Sequence, residues 1–259
     1  GIAMILCSPT PVSIIKAAIL AEIRHELPCL HGAEQQLGLF MNTAALDADQ
    51  YPTAHLIRQL AEECGLDASW LLHAPGQALG RLVAANLRYE APDRALVIFA
   101  ALEQALRYGH EYCLCGAGNA SRLFNDRSRA IGKEVHRMLG FIRFQPGPDD
   151  SLIARPKLFH NTADLILRQF ALRYPHTRLI FVLAYTALAW ENKQLSRLPA
   201  DDLLPFVTGD DFQQAWDTYY QSQYIATRKN IKLVSQVIPR KYWNWLPEGK
   251  MLYEQAELP

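Results

Sequence analysis

The chain has 259 residues, half of them hydrophobic, and its 26 Lys and Arg are balanced by 26 Asp and Glu. A length in this range builds one extended domain or two small ones, at roughly 100–200 residues each, and electrical neutrality excludes general coating of a polyanion, so any affinity for nucleic acid must come from a local patch. No apolar run approaches the roughly 18 uncharged residues of a membrane span, and no basic region leads into an apolar one as in a secretory leader, so the expected setting is the cytoplasm, with no membrane.

In chain order, Val12, Ile14, Ile15, Ala18, Ile19 and Ile23 recur at helical spacing between Pro11 and His25, with Ser13 available as a cap. Further helices are expected over 53–64, closed by Gly65, from Asp67 onward, over 77–89, and over 92–108 with Pro92 in its first turn. The first hundred-odd residues therefore read as helical. Helical spacing returns over 120–139 through Leu123, Ile131, Val135 and Met138. Gly140 to Gln145 alternates like a strand, Pro146 to Asp150 is turn chemistry, and Ser151 to Arg155 can return as the partner of a hairpin. A helix over 162–174 precedes two β-branched and aromatic runs, 178–185 and 187–192, read as strands. After a loop over 199–209, Asp210 can cap a helix to about Tyr224, and a shorter helix over 230–237 ends before Pro239. The fold class is α+β, a helical N-terminal half followed by a small antiparallel sheet flanked by helices.

The five cysteines, Cys7, Cys29, Cys64, Cys113 and Cys115, are irregularly spaced, which suits a reducing compartment. Cys113 and Cys115 form a C-x-C pair, but tetrahedral zinc takes four donors and no second pair supplies them. The phosphate loop, the zinc-protease and zinc-deaminase motifs and the nucleophile elbow are all missing from the sequence. Neither a metal nor a cofactor is expected. Asp149-Asp150, Asp201-Asp202 and Asp210-Asp211 fall in loops or caps and read as solvated turns.

The segment from Tyr224 to Leu246 carries Arg228, Lys229, Lys232, Arg240 and Lys241 among Tyr224, Tyr242, Trp243 and Trp245, with no acidic residue. Cations can meet a phosphate backbone while rings stack on unpaired bases. Terminal aromatics can equally pin a chain end onto its core while their cationic neighbours stay solvated.

Three segments in order, Gly132-Lys-Glu-Val-His136-Arg-Met-Leu-Gly-Phe-Ile-Arg143-Phe144, then His160 with Gln169-Phe170 and Arg173-Tyr174-Pro175, then Val237-Ile-Pro239-Arg240-Lys-Tyr242-Trp243-Asn-Trp-Leu246-Pro247-Glu248, resemble a bacterial family of DNA-metabolism proteins built on the domain of unknown function numbered 4130. Gln35 to Phe40 is similar to a short element in the N-terminal part of that family. The similarity is strongest over 82–248, which places a helical region over 4–80 before it and a tail over 249–259 after it. The resemblance implies a context of DNA repair or modification and a separate radical-SAM protein as partner; related domains are fused to glycosylase-type uracil-DNA-binding proteins. The biochemical activity of the domain is left open.

On these residues the nucleic-acid candidates are Arg137, Arg143, Arg173, Arg228, Lys229, Lys232, Arg240, Lys241 and Tyr242, with Phe141 and Trp243 for stacking. On a strand, Phe141 and Arg143 would share one face and seat a base beside a phosphate, although Arg143 can equally pair with a carboxylate such as Asp164. His136 is the candidate acid or base, with Glu134 or Asp164 as helper; its alternative role is to hydrogen-bond the junction between helix and strand. His160 and Asn161 precede a helix whose free N–H groups suit an anion, and capping by Asn161 or Thr162 explains the same residues. The expected function is binding of single-stranded or distorted DNA. The alternatives are an enzyme acting on a flipped or damaged base through His136, and a protein-interaction adaptor.

Overall fold

A computed structural model describes residues 4–31, 44–207, 213–237 and 240, and from residue 213 onward it describes the side chains of 217–226, 233, 234, 236 and 240. The chain divides into two units, Gly1–Arg129 with Arg228–Pro259, and Ala130–Thr227. Asp210, Lys241, Tyr242 and Trp243 lie outside the described residues.

The first unit opens with strand β1 (Met4–Cys7), which leads through helix α1 (Pro11–Arg24) into β2 (Pro28–Leu30). Thr10 caps α1, its hydroxyl accepting the Ser13 N–H at 3.3 Å, and Pro11 takes the first helical position, where its missing N–H costs nothing. Ser13, the cap expected from sequence, lies inside the helix, where its buried hydroxyl accepts the Ser8 N–H at 2.8 Å. Strand β3 (Ala45–Asp47) joins the other side of β1, so a parallel sheet of order β2-β1-β3 forms, with Ile5 opposite both Pro28 and Leu46. This sheet corrects the purely helical reading of the first hundred residues. The strands are three or four residues long, and β1 is an almost fully buried apolar run with no alternation to betray it.

Helix α2 (Thr53–Cys64) ends as expected at Gly65, whose left-handed φ of 68° lets its N–H reach Ala61 O at 3.1 Å. The helix expected at Asp67 is a 3-10 turn, Ser69–Leu72, with the Asp67 carboxylate accepting the Ser69 N–H at 2.9 Å. Helices α3 (Ala74–Arg88), α4 (Arg94–Tyr108) and the short α5 (His110–Leu114) follow. In α4 every residue from Ala95 to Leu102 is buried, so the helix is apolar all round and sits in the core with Ile14, Leu20, Leu56 and Phe124. Arg127, on the long helix α6 (Asn119–Phe141), is the largest fully buried side chain among the described residues. Its guanidinium grips Asp93 with both ends, Nη1 lying 2.8 Å from Oδ1 and Nη2 donating to Oδ2 at 3.0 Å, and stands 4.7 Å from the centre of the Tyr89 ring. Cys113 is buried and Cys115 exposed, so the two thiols of the C-x-C pair meet different surroundings. Burial pushes the Cys7 thiol up to about 12 and the Cys113 thiol up to about 11.

The second unit holds a five-stranded sheet of order β4-β5-β6-β7-β8, made of β4 (Gln145–Pro146), β5 (Leu152–Ala154), β6 (Leu179–Val182), β7 (Ala187–Glu191) and β8 (Gln194–Leu198). Helix α7 (Ala163–Arg173) crosses from β5 to β6, which makes that one pair parallel, Leu152 opposite Leu179, while the other three are antiparallel. Strand period two separates the faces of β6. Leu179 and Phe181 pack with Met138, Ile166, Leu167 and Phe170 from the helices, and Ile180 and Val182 pack with Ile153, Ala187, Ala189 and Leu203. The β7–β8 hairpin turns through Asn192 and Lys193, both at positive φ, as a two-residue turn matching the twist of its strands requires. Edge strand β8 has no signal in the sequence, because its residues are nearly all exposed and carry no apolar alternation.

Two further boundaries differ from expectation. Helix α6 continues through Phe141, so the run Gly140 to Gln145 forms no strand beyond Gln145, although the hairpin with β5 exists, pairing Gln145 with Ile153. Helix α8 (Gln213–Val237) is continuous where two helices were expected. Asp149 and Asp150 are exposed at positive φ in a 3-10 turn, and Asp201 and Asp202 are exposed at the start of another. Among the described residues no helix is long and apolar enough to cross a membrane.

Candidate nucleic-acid interface

In the second unit Ile131, Glu134 and Met138 form the buried stripe of α6, so a carboxylate takes a core position at 0% exposure. Four donors meet it. Oε1 accepts from the His160 N–H at 3.1 Å and the Thr162 hydroxyl at 2.6 Å, while Oε2 accepts from the Phe159 N–H at 3.2 Å and the Tyr219 hydroxyl at 2.7 Å. A carboxylate offers about four lone-pair positions, and all are engaged. The anion expected at the head of α7 is therefore supplied from within the chain, because the His160 N–H is spent on Glu134. Thr162 occupies the cap position of α7 without making a side-chain capping bond, and its hydroxyl donates to Glu134. Glu134 has no lone pair left to assist His136, and two residues apart on a helix the two side chains point to opposite sides.

The same spacing that turns Glu134 inward turns Lys133, His136 and Arg137 outward, and all three are exposed. At i, i+3 and i+4 they share one helical face. The Arg137 guanidinium stands 4.9 Å from the centre of the Tyr219 ring, whose hydroxyl is fixed by Glu134. One residue further on α8, Tyr220 lies 5.2 Å from the Lys157 ammonium and meets the edge of Phe159 at 5.0 Å. Phe159 in turn stands edge-on to His160 at 5.0 Å. Lys157 also pairs with Asp217, and both are half exposed. The buried carboxylate thus holds together a loop and a helix that carry two tyrosines, with cations over their rings. Lys133, Lys157, Tyr219 and Tyr220 escaped sequence reasoning. Glu134 could have been found from its place between Ile131 and Met138 on an apolar stripe, whereas Lys157 and the tyrosines are distant in the chain and have no shared signal.

The expected seat made by Phe141 and Arg143 does not form, because Phe141 ends a helix and is half-buried. Arg143 is exposed and folds back on the end of α6, donating to Gly140 O at 2.7 Å and Ile142 O at 3.1 Å, where a cation also opposes the negative end of the helix dipole. Phe144, its neighbour, packs edge-on against Phe170 at 5.0 Å and Tyr174 at 6.2 Å, and the Arg173 guanidinium lies 5.8 Å from the Phe170 ring. Arg173 therefore lies beside this aromatic group, with Tyr174 exposed, whereas Arg143 turns to the end of α6. Arg168 turns to Trp190 at 5.7 Å, away from Arg173, as five-residue spacing requires. His136 is exposed and forms no hydrogen bond among the described residues. Arg228, Lys229 and Lys232 fall in α8 but their side chains lie outside the described residues, and Arg240 is exposed.

The family model described as a domain of unknown function, DUF4130, matches residues 92–248. No curated protein matches the chain.

Proposed function

The chain belongs to the DUF4130 family, a domain of unknown function, and we propose that it binds single-stranded or distorted DNA in repair or modification, in the cytoplasm and beside a separate radical-SAM enzyme. The observation that carries the binding is the exposed face of Lys133, His136 and Arg137, set beside Tyr219, Tyr220 and Lys157. Cations on that face suit phosphates, and the exposed ring of Tyr220, set beside buried Tyr219, suits an unpaired base, whose stacking is worth about 1–3 kcal/mol. The exposed Lys157–Asp217 pair contributes about 0–1 kcal/mol, so a phosphate can displace Asp217 at little cost. The bacterial DNA-metabolism setting and the radical-SAM partner rest on the resemblance of the three segments alone. The base-modifying alternative through His136 gains less support, because that imidazole lies on an open helix surface and Glu134 is spent.

Fluorescence anisotropy with labelled single-stranded, bubble and duplex oligonucleotides over a range of salt tests the reading. Three phosphate contacts give a slope of log affinity against log salt of about −2 on a single strand. Lys133→Ala with Arg137→Ala lowers that slope by about 1.4 on the same scale. A salt-independent signal, or binding untouched by the double substitution, rules the face out.

A further inference from the structure

We propose that the first unit binds a divalent transition-metal ion through His31, Asp47 and Asp49 at the carboxyl edge of its parallel sheet. One ligand atom from each of the three lies within 4.8 Å of the others. An equilateral triangle with that side has its centre 4.8/√3, about 2.8 Å, from each corner. Bonds of about 2.0–2.2 Å are then reached when each group moves inward by about 0.8 Å or less, which side chains that are exposed or half-buried can do without disturbing the core.

The topology explains why these residues meet. Strand β1 is central, β2 and β3 flank it, and the chain moves to one side through α1 and then to the other. The carboxyl ends of β1 and β3 bracket the point where the direction reverses, the place where open parallel sheets gather ligands. His31 directly follows β2 and continues the ladder, its N–H reaching Cys7 O at 2.9 Å. Asp47 closes β3, and Asp49 lies in the 3-10 turn Ala48–Gln50 immediately after.

Both carboxylates are already oriented. Asp49 Oδ2 accepts the Ser8 hydroxyl at 2.7 Å, and Ser8 is itself tied to Ser13; Asp47 Oδ1 accepts the Asp49 N–H at 2.9 Å. Such outer contacts aim each carboxylate, as partners behind metal ligands do, and each group offers one oxygen to the ion. Two negative charges beside one imidazole favour a dication. One nitrogen and two oxygens without sulfur suit Zn²⁺ or Mn²⁺, with Zn²⁺ the tighter by the usual order of divalent affinities, and leave coordination positions for water or an oxygen ligand.

The test uses the full chain, stripped with EDTA, desalted and titrated calorimetrically with zinc sulfate or manganese chloride. One equivalent of each ion is expected, zinc the tighter. His31→Ala with Asp47→Asn weakens both by at least about tenfold, while Cys115→Ser changes neither. Far-UV circular dichroism of the metal-free variants checks the fold, and X-ray absorption of the zinc-loaded native chain decides independently of any variant. A first shell of nitrogen and oxygen with imidazole scattering supports the site. Sulfur in that shell, the lack of a saturable equivalent, or native affinity in the folded double variant overturns it.

Discussion

Replacing Glu134 by Gln keeps the shape of the side chain and removes half its accepting capacity. The carboxylate meets two donors on each oxygen, the His160 N–H and Thr162 hydroxyl on Oε1 and the Phe159 N–H and Tyr219 hydroxyl on Oε2. Whichever way the amide turns, its NH₂ faces one hydroxyl, which can reverse and accept from it, and one backbone N–H, which loses its acceptor at about 1–3 kcal/mol, while the remaining bonds fall to neutral strength. The neutral amide recovers several kcal/mol because it is cheaper to bury than a charge. The expected net loss is about 1–3 kcal/mol, a sizeable share of the about 5–15 kcal/mol that holds a typical domain together. Urea unfolding followed by far-UV circular dichroism reads the loss, and amide hydrogen exchange at Phe159 and His160 reads its cause. Both amides should exchange slowly in the native chain and fast in the variant. Tyr219→Phe removes one donor and should cost about 1.5–3 kcal/mol, and the double variant should cost less than the sum. Unchanged stability together with unchanged exchange at those amides would refute the account of Glu134 as an internal anion.

The buried Arg127–Asp93 pair sets a second expectation in the first unit: Asp93→Asn destabilises by about 3–5 kcal/mol in a denaturant melt, whereas Arg127→Met with Asp93→Leu loses less than the single change, because no charge is then stranded. Thiol labelling separates the cysteines, since exposed Cys115 should react in the folded chain while Cys7 and Cys113, pushed up to about 12 and about 11 by burial, react only on unfolding. The sign of the pH effect follows from the same groups. A thiol that holds its proton in the fold but releases it near its ordinary 9.0 when unfolded contributes stability below about pH 9, and that contribution falls as pH rises toward 11–12 in alkaline melts.

The helices were legible wherever a local signal marked both body and end, as with the apolar stripe of α1 or Gly65 after α2. Strands β1 and β8 were not, for opposite reasons. One is too short and too buried to alternate, and the other is nearly all exposed, with Leu195 and Leu198 three apart and so out of step with a strand's period of two. The extension of α6 through Phe141 was hidden because Phe141 to Phe144 alternates equally well on paper, and only the packing of Met138 and Ile142 into the second core decides between periods. The candidate face was half legible. His136, Arg137 and Arg173 were named from the sequence, but Arg137 derives its place from Tyr219, 82 positions later in the chain, and no local pattern joins them. Glu134 shows the same limit, because its four donors are dispersed from residue 159 to residue 219 and meet only in the fold.

The rims of the five-stranded sheet bear on how the protein behaves at high concentration. One rim is the two-residue strand β4, where Pro146 offers no N–H, and the other is β8, with Arg197 exposed along its length and Lys193 at its turn. A neighbouring copy seeking to extend the sheet finds a missing donor on one side and like charges on the other. Self-association by strand addition is therefore opposed at both borders of this sheet, and crowding alone should not extend it into a fibril.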